Sequence, residues 1–184
     1  MSTIEWAFNV AQEKLAEFLP TRWAHVQGVA RQAQTLRPIS GADSDLLEAA
    51  AVLHDVGYAP DLVRTGFHPL DGAYFLQDVG APARLVHLVA HHSCAAHEAA
   101  LRGLSREIDR FDDERGSIRD GLWFCDLTTA PDGQEVDARA RMEEIKERYG
   151  AGHLVTRFIT EARDELLGAV DRTRSRLEAV SHPK

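Results

Sequence analysis

The chain has 184 residues, of which 44% are hydrophobic and 27% are charged, and its formal net charge at pH 7 is −8. This length and composition fit one compact domain with a real core and argue against a disordered chain. The acidic balance and the lack of basic runs argue against binding to long nucleic acid, which relies on basic surface.

Helical periodicity runs through the whole chain. Apolar residues recur at helical spacing from Ile4 to Leu15, and Pro20 closes this first helix. Thr21 is the predicted cap of a second helix, and proline, glycine and capping residues divide the rest of the chain. We predict these later helices at about residues 21–36, 43–55, 68–79, 83–92, 117–129, 134–149 and 153–180, with a weaker one at 101–110. No run of alternating β-branched residues indicates a strand, so the predicted fold class is all-α.

The sequence predicts a cytoplasmic protein without a membrane partner. Cys94 and Cys125 are too few for a disulfide scaffold and lack CxxC spacing, which favours a reducing compartment. The first residues carry acidic and polar side chains where a signal peptide needs a basic start and an apolar stretch. No window approaches the roughly 18 consecutive apolar residues of a spanning helix.

The dipeptide His54-Asp55, in AVLHDVGYAP, is the most informative feature of the sequence. Imidazole nitrogen and carboxylate oxygen are both good ligands for a borderline or hard metal ion. Successive residues on a helix point about 100° apart, so both can reach one ion only if it lies between helices. We therefore expect partners from other helices. Candidates follow in chain order: His25 in RWAHVQGVA, His68 in TGFHPLDGA, His91 and His92 in LVAHHS, and Asp126 in LWFCDLTTA.

This order of residues resembles the HD superfamily of metal-dependent phosphohydrolases, whose fold is a helical bundle. The resemblance covers about residues 20–130 and implies that the chain is a single HD-like domain. The helices at about 132–180 lie outside its motifs and are expected to build a pocket wall or the surface of a homodimer. By the resemblance, His25, His54, Asp55 and Asp126 form the basic ligand set for one metal ion.

The additional histidines are similar to those of the HD-type dinucleoside tetraphosphate hydrolases and the HD-GYP phosphodiesterases. In those branches the matching histidines hold a second metal, which implies that His68 and one or both of His91 and His92 complete a binuclear site. The GYP string is missing, so cyclic-dinucleotide hydrolysis is disfavoured. Two imidazoles and two carboxylates suit one or two ions of Mn, Fe, Zn, Co, Ni or Mg.

Several of these residues have plainer interpretations. A lone histidine on an apolar face is more often a hydrogen-bonded core residue than a ligand. Asp126 interrupts an apolar string, where a buried carboxylate needs a positive partner, but it would also fit as a loop cap or a solvent-facing residue. Asp71 fits either the dipole of a helix start or a contact to a ligand histidine. His97, His153 and His182 have no motif around them and are assigned to the surface.

The predicted activity is hydrolysis of a nucleotide or another small phosphorylated metabolite by metal-activated water, with Asp55 and His54 as the catalytic residues. Arg22 and Arg84 could reach phosphate oxygens, although each also fits a solvated surface charge. Two alternatives stay open, namely a non-catalytic HD module that binds a nucleotide or metal, and an iron-dependent HD-fold oxygenase.

Overall fold

The computed structural model describes residues 1–182. Its helices are α1 (Thr3–Leu15), α2 (Pro20–Thr35), α3 (Arg37–Ser40), α4 (Ser44–Leu53), α5 (His68–Asp78), α6 (Ala83–Ala90), α7 (Ala95–Arg102), α8 (Ser105–Ile108), α9 (Ser117–Leu127), α10 (Ala138–Tyr149), α11 (Leu154–Glu161) and α12 (Arg163–Ser181). Short 3₁₀ turns lie at Gly41–Asp43, Val56–Tyr58, Pro60–Leu62 and His92–Cys94. The predicted all-α class is confirmed.

Helix α4 is the central element of the bundle. Its residues from Leu47 to Leu53 are all buried, and it packs against α1, α2, α6 and α9. Burying each large apolar side chain contributes roughly 1.5–3 kcal/mol, so α4 is a rigid support for whatever follows its last turn. The residues that follow are His54 and Asp55.

Local chemistry explains where α1 and α2 begin. Ser2 and Glu5 form a capping box at the start of α1, in which each side chain accepts a hydrogen bond from the other residue's backbone N–H. Helix α2 begins with Pro20 in its first turn and Leu19 at the cap position, so the prediction of Thr21 as the cap is wrong. Proline fits this position because the first turn leaves its backbone nitrogen without a helical partner.

Three predicted segments differ from the structure. Helix α10 begins after the capping carboxylate of Asp137 rather than at 134, because residues 128–136 form a hairpin-like loop with an isolated bridge between Thr129 and Glu135. The predicted helix at 153–180 is two helices that part at Ala162, since α11 packs on α7 and α10 while α12 packs along α9. The weak helix at 101–110 is instead the end of α7 and the short α8, separated at the left-handed Gly103.

Both cysteines are free and buried close to the helices that carry the predicted site. Burial raises the pKa of the Cys94 thiol to about 12 and raises that of Cys125 as well. Over residues 1–182, no helix has the length and apolar character needed to cross a bilayer.

Candidate metal centre

The dipeptide at the end of α4 is almost fully enclosed. His54 is 0% exposed and Asp55 is 3% exposed. His54 takes the cap position of α4, and Asp55 leads into the 3₁₀ turn Val56–Tyr58. Because the two side chains diverge at this helix end, each faces a different set of partners.

His54 belongs to a first group with His25 from α2 and Asp126 from α9. One ligand atom from each residue can be chosen so that all three lie within 4.8 Å of one another. The Nε2 atom of His25 is 3.0 Å from Asp126 Oδ1, and that of His54 is 3.8 Å from the same oxygen. Three elements that are distant in sequence therefore converge on one small volume.

Asp55 belongs to a second group with His68, the first residue of α5, and His92, from the turn after α6. These ligand atoms also lie within 4.8 Å of one another. Asp55 Oδ1 is 3.2 Å from His68 Nε2 and 3.8 Å from His92 Nε2, and the two imidazole nitrogens are 3.1 Å apart.

The carboxylate of Asp55 joins the two groups. While Oδ1 faces His68 and His92, Oδ2 lies 3.3 Å from Nε2 of His54 and 3.9 Å from Nε2 of His25. A carboxylate with one oxygen toward each group is the arrangement expected of a bridging ligand between two ions.

The hydrogen bonds of the histidines fit metal ligation. The Nδ1 atoms of His25, His54 and His92 lie 3.1, 2.8 and 2.6 Å from the backbone carbonyls of Ala130, Ala51 and Val89, respectively. Since a carbonyl only accepts, each Nδ1 must carry a proton, and Nε2 faces the site, where its lone pair binds a metal ion once that nitrogen is unprotonated. Nε2 of His54 is buried and has no hydrogen-bond partner among the described residues. A divalent cation would satisfy that atom together with the facing carboxylates.

The electrostatics of the centre also call for positive charge. Burial alone would lower the pKa of His54, but the charges of Asp55 and Asp126 outweigh it and raise this pKa to about 9. Burial likewise works against ionisation of the two carboxyls, yet Arg22 and His54 hold the pKa of Asp55 well below its usual range, and His25 and His54 do so for Asp126. The carboxylates therefore stay ionised, and metal ions could supply the positive charge that a proton on His54 otherwise provides.

Glycines bring the ligand-bearing elements together. A Cβ on Gly57 would lie 2.1 Å from the carbonyl oxygen of His68 and 2.4 Å from the nitrogen of Gly72. A Cβ on Gly28 would lie 2.5 Å from the carbonyl oxygen of Gly133. Only glycine permits these backbone approaches, which set His68 beside Asp55 and His25 beside the loop after α9.

Arg22 reaches this centre as well. Its Nη1 donates to Asp55 Oδ2 at 2.6 Å, and its guanidinium lies 4.1 Å from the ring centre of Tyr58. Tyr58 in turn stacks on His68, with ring centroids 3.9 Å apart. Tyr58 was not among the predicted site residues, and its only signal in the sequence is its place three residues after Asp55.

A cavity of about 290 Å³ opens beside both groups. Asp55, His68, His92 and Asp126 line it together with Ser93, and α10 and α11 supply much of the opposite wall. The wall residues, none of which the sequence analysis assigned to the site, are Arg141, Ile145, Arg148, Tyr149, His153, Val155, Phe158 and Ile159. His153 is exposed, as predicted, and its side chain caps α11 at this wall.

Two predicted site residues, His91 and Arg84, lie outside the centre, and Asp71 supports the loop beside it. His91 lies outside both groups, because its Nε2 is 2.7 Å from the carbonyl oxygen of Phe111. The prediction of His91 as a metal ligand is therefore wrong, and His92 is the member of the pair that faces the site. Arg84 does not line the cavity and instead forms ion pairs with Asp43 and Glu114 at 2.7 Å each. Asp71 lies in the first turn of α5, in agreement with its interpretation as a helix-start carboxylate, and it accepts hydrogen bonds from Thr65 and from the backbone of Gly66, which orders the loop before His68.

Comparison with known proteins gives one positive result. A family model for the HD domain matches residues 22–124, which is more than half of the chain. The match begins at Arg22, includes both halves of the His54-Asp55 dipeptide and stops two residues before Asp126. Neither the search of curated proteins nor the search of solved structures gave a match at the required significance. Similarity to the dinucleoside tetraphosphate hydrolases therefore stays a prediction. Because the HD domain model matches more than half of the chain, the chain belongs to the HD domain family.

Proposed function

We propose that this protein is a metal-dependent phosphohydrolase that cleaves a phosphate ester or anhydride bond in a small phosphorylated molecule. The observation that carries the proposal is the pair of His/carboxylate groups joined through Asp55 at one side of a single cavity. A cavity is required because the reacting phosphate must reach the ligands, and Asp55, His68, His92 and Asp126 all line it.

Two divalent ions fit this arrangement of donors. His25, His54 and Asp126 would hold one ion, His68 and His92 would hold the other, and Asp55 would contribute to both. Bound there, the metal would supply Lewis-acid chemistry, lowering the pKa of water toward about 7 and neutralising charge on phosphoryl oxygens. No covalent nucleophile from the protein is needed.

The charges of the cavity favour an anionic substrate only with metal present. Among its lining residues the side chains of Arg22, Arg102, Arg141 and Arg148 are cationic, and those of Asp55, Asp71, Glu98 and Asp126 are anionic, so the two signs balance. One or two divalent ions would make the cavity positive within a chain whose net charge is −8. Phosphate should then be attracted to this place and repelled by the rest of the surface.

The protein's own residues have three roles in this proposal. Arg22 keeps Asp55 ionised and oriented through its contact with Oδ2, so that Oδ1 stays directed toward His68. Arg141 and Arg148, on α10, line the cavity and both pair with Glu144, and their remaining N–H groups can bind oxygens of the substrate. Ile145, Val155 and Phe158 exclude water and suit an uncharged part of the substrate.

The size of the cavity bears on the substrate. Its volume of about 290 Å³ lies at the lower end of the range for ligand pockets, about 300–1,000 Å³. By itself this volume supports a single nucleotide or a smaller phosphate ester. A neighbouring cavity of about 400 Å³, which is lined by His25 and shares Arg22, Tyr58, Arg141 and Arg148 with the first, leaves room for a larger substrate.

Elemental analysis and a phosphatase assay on protein purified without chelators test the proposal. The wild type should contain one to two equivalents of a divalent transition metal and should release phosphate from a nucleoside monophosphate faster than it cleaves a dinucleoside tetraphosphate. Asp55→Ala should lose metal and at least about 100-fold in kcat/KM. Asp61→Ala, an exposed aspartate outside this cavity, is the matched control and should keep both properties. Full metal content and full activity in Asp55→Ala would refute the proposal, and tight nucleotide binding without turnover would favour the binding-module alternative.

A further inference from the structure

The turn that follows α6 has an uncommon backbone. Ser93 has φ 45° and ψ 47°, and the next residue, Cys94, has φ 61° and ψ 31°. The left-handed backbone conformation is unfavourable for any residue with a Cβ atom, because that atom crowds the backbone, and here two such residues follow one another. Such a conformation persists only where the surrounding structure imposes it, and it often marks a functional site.

Neighbouring helices hold this turn in place. The indole Nε1 of Trp123, on α9, donates to the carbonyl of His91 at 2.9 Å. The thiol of Cys94 donates to the carboxylate of Glu165, on α12, at 3.6 Å. The turn is therefore fixed on both sides of Ser93.

The turn lets adjacent residues serve different ligand groups. The imidazole of His92 faces Asp55 and His68, whereas the hydroxyl of Ser93 donates a hydrogen bond to Asp126 Oδ2, in the first group. Asp126 Oδ1 is left beside His25 Nε2, at 3.0 Å. The two oxygens of this carboxylate thus have different partners, and only Oδ1 is directed at the nitrogens of the first group.

We infer that Ser93 is a positioning residue, which orients the Asp126 carboxylate so that a metal ion in the first group is bound through Oδ1. The inference rests on the proposed metal-dependent function. The left-handed backbone at Ser93 is the means, because it sets the direction in which the Ser93 hydroxyl leaves the chain toward Asp126, directly after His92, whose imidazole faces the other group. A hydroxyl suits this role since an ionised carboxylate only accepts hydrogen bonds.

Two substitutions separate the hydroxyl from the backbone strain. Ser93→Gly removes the hydroxyl but relieves the left-handed conformation, so its melting temperature measured in chelator should rise above that of the wild type. Its affinity for one of the two metal equivalents should nevertheless fall by about 10- to 100-fold, the usual effect of losing a group that orients a ligand. Ser93→Ala should show the same loss of affinity without the rise in melting temperature. A residue with only a structural role could not give a more stable protein that binds metal more weakly.

The measurement is competition for Mn²⁺ or Zn²⁺ against a chromogenic chelator, with melting followed by circular dichroism in EDTA. Ser175→Ala, an exposed serine on α12, is the control and should match the wild type in both. Wild-type affinity for both ions in Ser93→Gly and Ser93→Ala would overturn the inference while leaving the proposed function intact. Failure of the wild type itself to bind metal would overturn both. A lower melting temperature together with equal loss of both ions in Ser93→Gly would also overturn it, since the turn would then be only structural.

Discussion

Replacing Gly57 by alanine would test how strictly the metal centre depends on backbone contact between two elements. The added Cβ would lie 2.1 Å from the carbonyl oxygen of His68, 2.4 Å from the nitrogen of Gly72 and 3.0 Å from its Cα. All three are backbone atoms, so no side chain can rotate away to make room. Restoring ordinary contact requires the start of α5 to move by about 1 Å or more.

The expected cost follows from this geometry. Overpacking against rigid backbone costs about 3 kcal/mol, which for a domain of this size lowers the melting temperature by about 6–12 °C. His68 moves with α5, and metal ligands must keep their distances within about 0.2 Å. We therefore expect the group containing His68 to lose at least about tenfold in metal affinity, with a smaller effect on the group containing His25.

Thermal unfolding in chelator, followed by metal titration of the folded protein, would measure both effects. Gly168→Ala is the matched control, because the nearest atom to its Cβ is the movable Nη1 of Arg172 at 3.0 Å, and alanine is the better helix former. The control should be as stable as the wild type or more stable by up to about 1 kcal/mol. A melting temperature for Gly57→Ala as high as that of the wild type, with unchanged metal affinity, would refute the reasoning.

Three further predictions concern stability, metal and the surface. Burial alone would raise the pKa of Asp120, but ion pairs with Arg172 and Arg176 outweigh it and lower this pKa. Because the two arginines are partly exposed, Asp120→Asn should lower the free energy of unfolding, measured in urea at pH 7, by about 1–2 kcal/mol. A carboxyl group whose pKa is lowered on folding contributes its full stabilisation only above its unfolded pKa of about 3.9. The stability difference between Asp120→Asn and the wild type should therefore shrink as the pH falls below about 4. A constant difference down to about pH 2 would contradict the assignment of these ion pairs to Asp120. Mn²⁺ at 100 times its Kd should raise the free energy of unfolding by about 2.7 kcal/mol, an effect that EDTA reverses and that Asp55→Ala lacks. Arg84→Gln should leave phosphatase kcat/KM unchanged, whereas Arg22→Gln should lower it, and equal losses would place Arg84 in the site after all.

The predictable part of the fold is the part with local signals. Pro69 and Pro82 mark where α5 and α6 begin, and these starts agree with the structure. The break between α11 and α12 at Ala162 has no such signal, because the helical periodicity of the sequence continues across it. Only the packing of the two helices against different neighbours separates them. The start of α10 was misplaced for a similar reason, since a loop hydrogen-bonded to itself occupies the residues before Asp137.

The site shows the same division. The resemblance to the HD superfamily implied seven candidate ligands, and the structure brings six of them together, all except His91. These six are His25, His54, Asp55, His68, His92 and Asp126. The choice between His91 and His92 depends on the left-handed turn at Ser93 and on a carbonyl of Phe111 far along the chain, neither of which has a local signature. Tyr58, Arg141 and Arg148 were missed because an aromatic or an arginine in an ordinary helical context looks like core or surface until its neighbours are known.

The reactivity of the two buried cysteines can be used to measure how often the helices around the metal centre open. Alkylating reagents attack the thiolate, and both thiols have raised pKa values and are shielded from solvent. Modification of Cys125, the neighbour of Asp126, therefore requires α9 to open first. The labelling rate of this residue would then measure how often the helix opens, and a ligand that binds across α9 should slow the reaction in proportion to its occupancy.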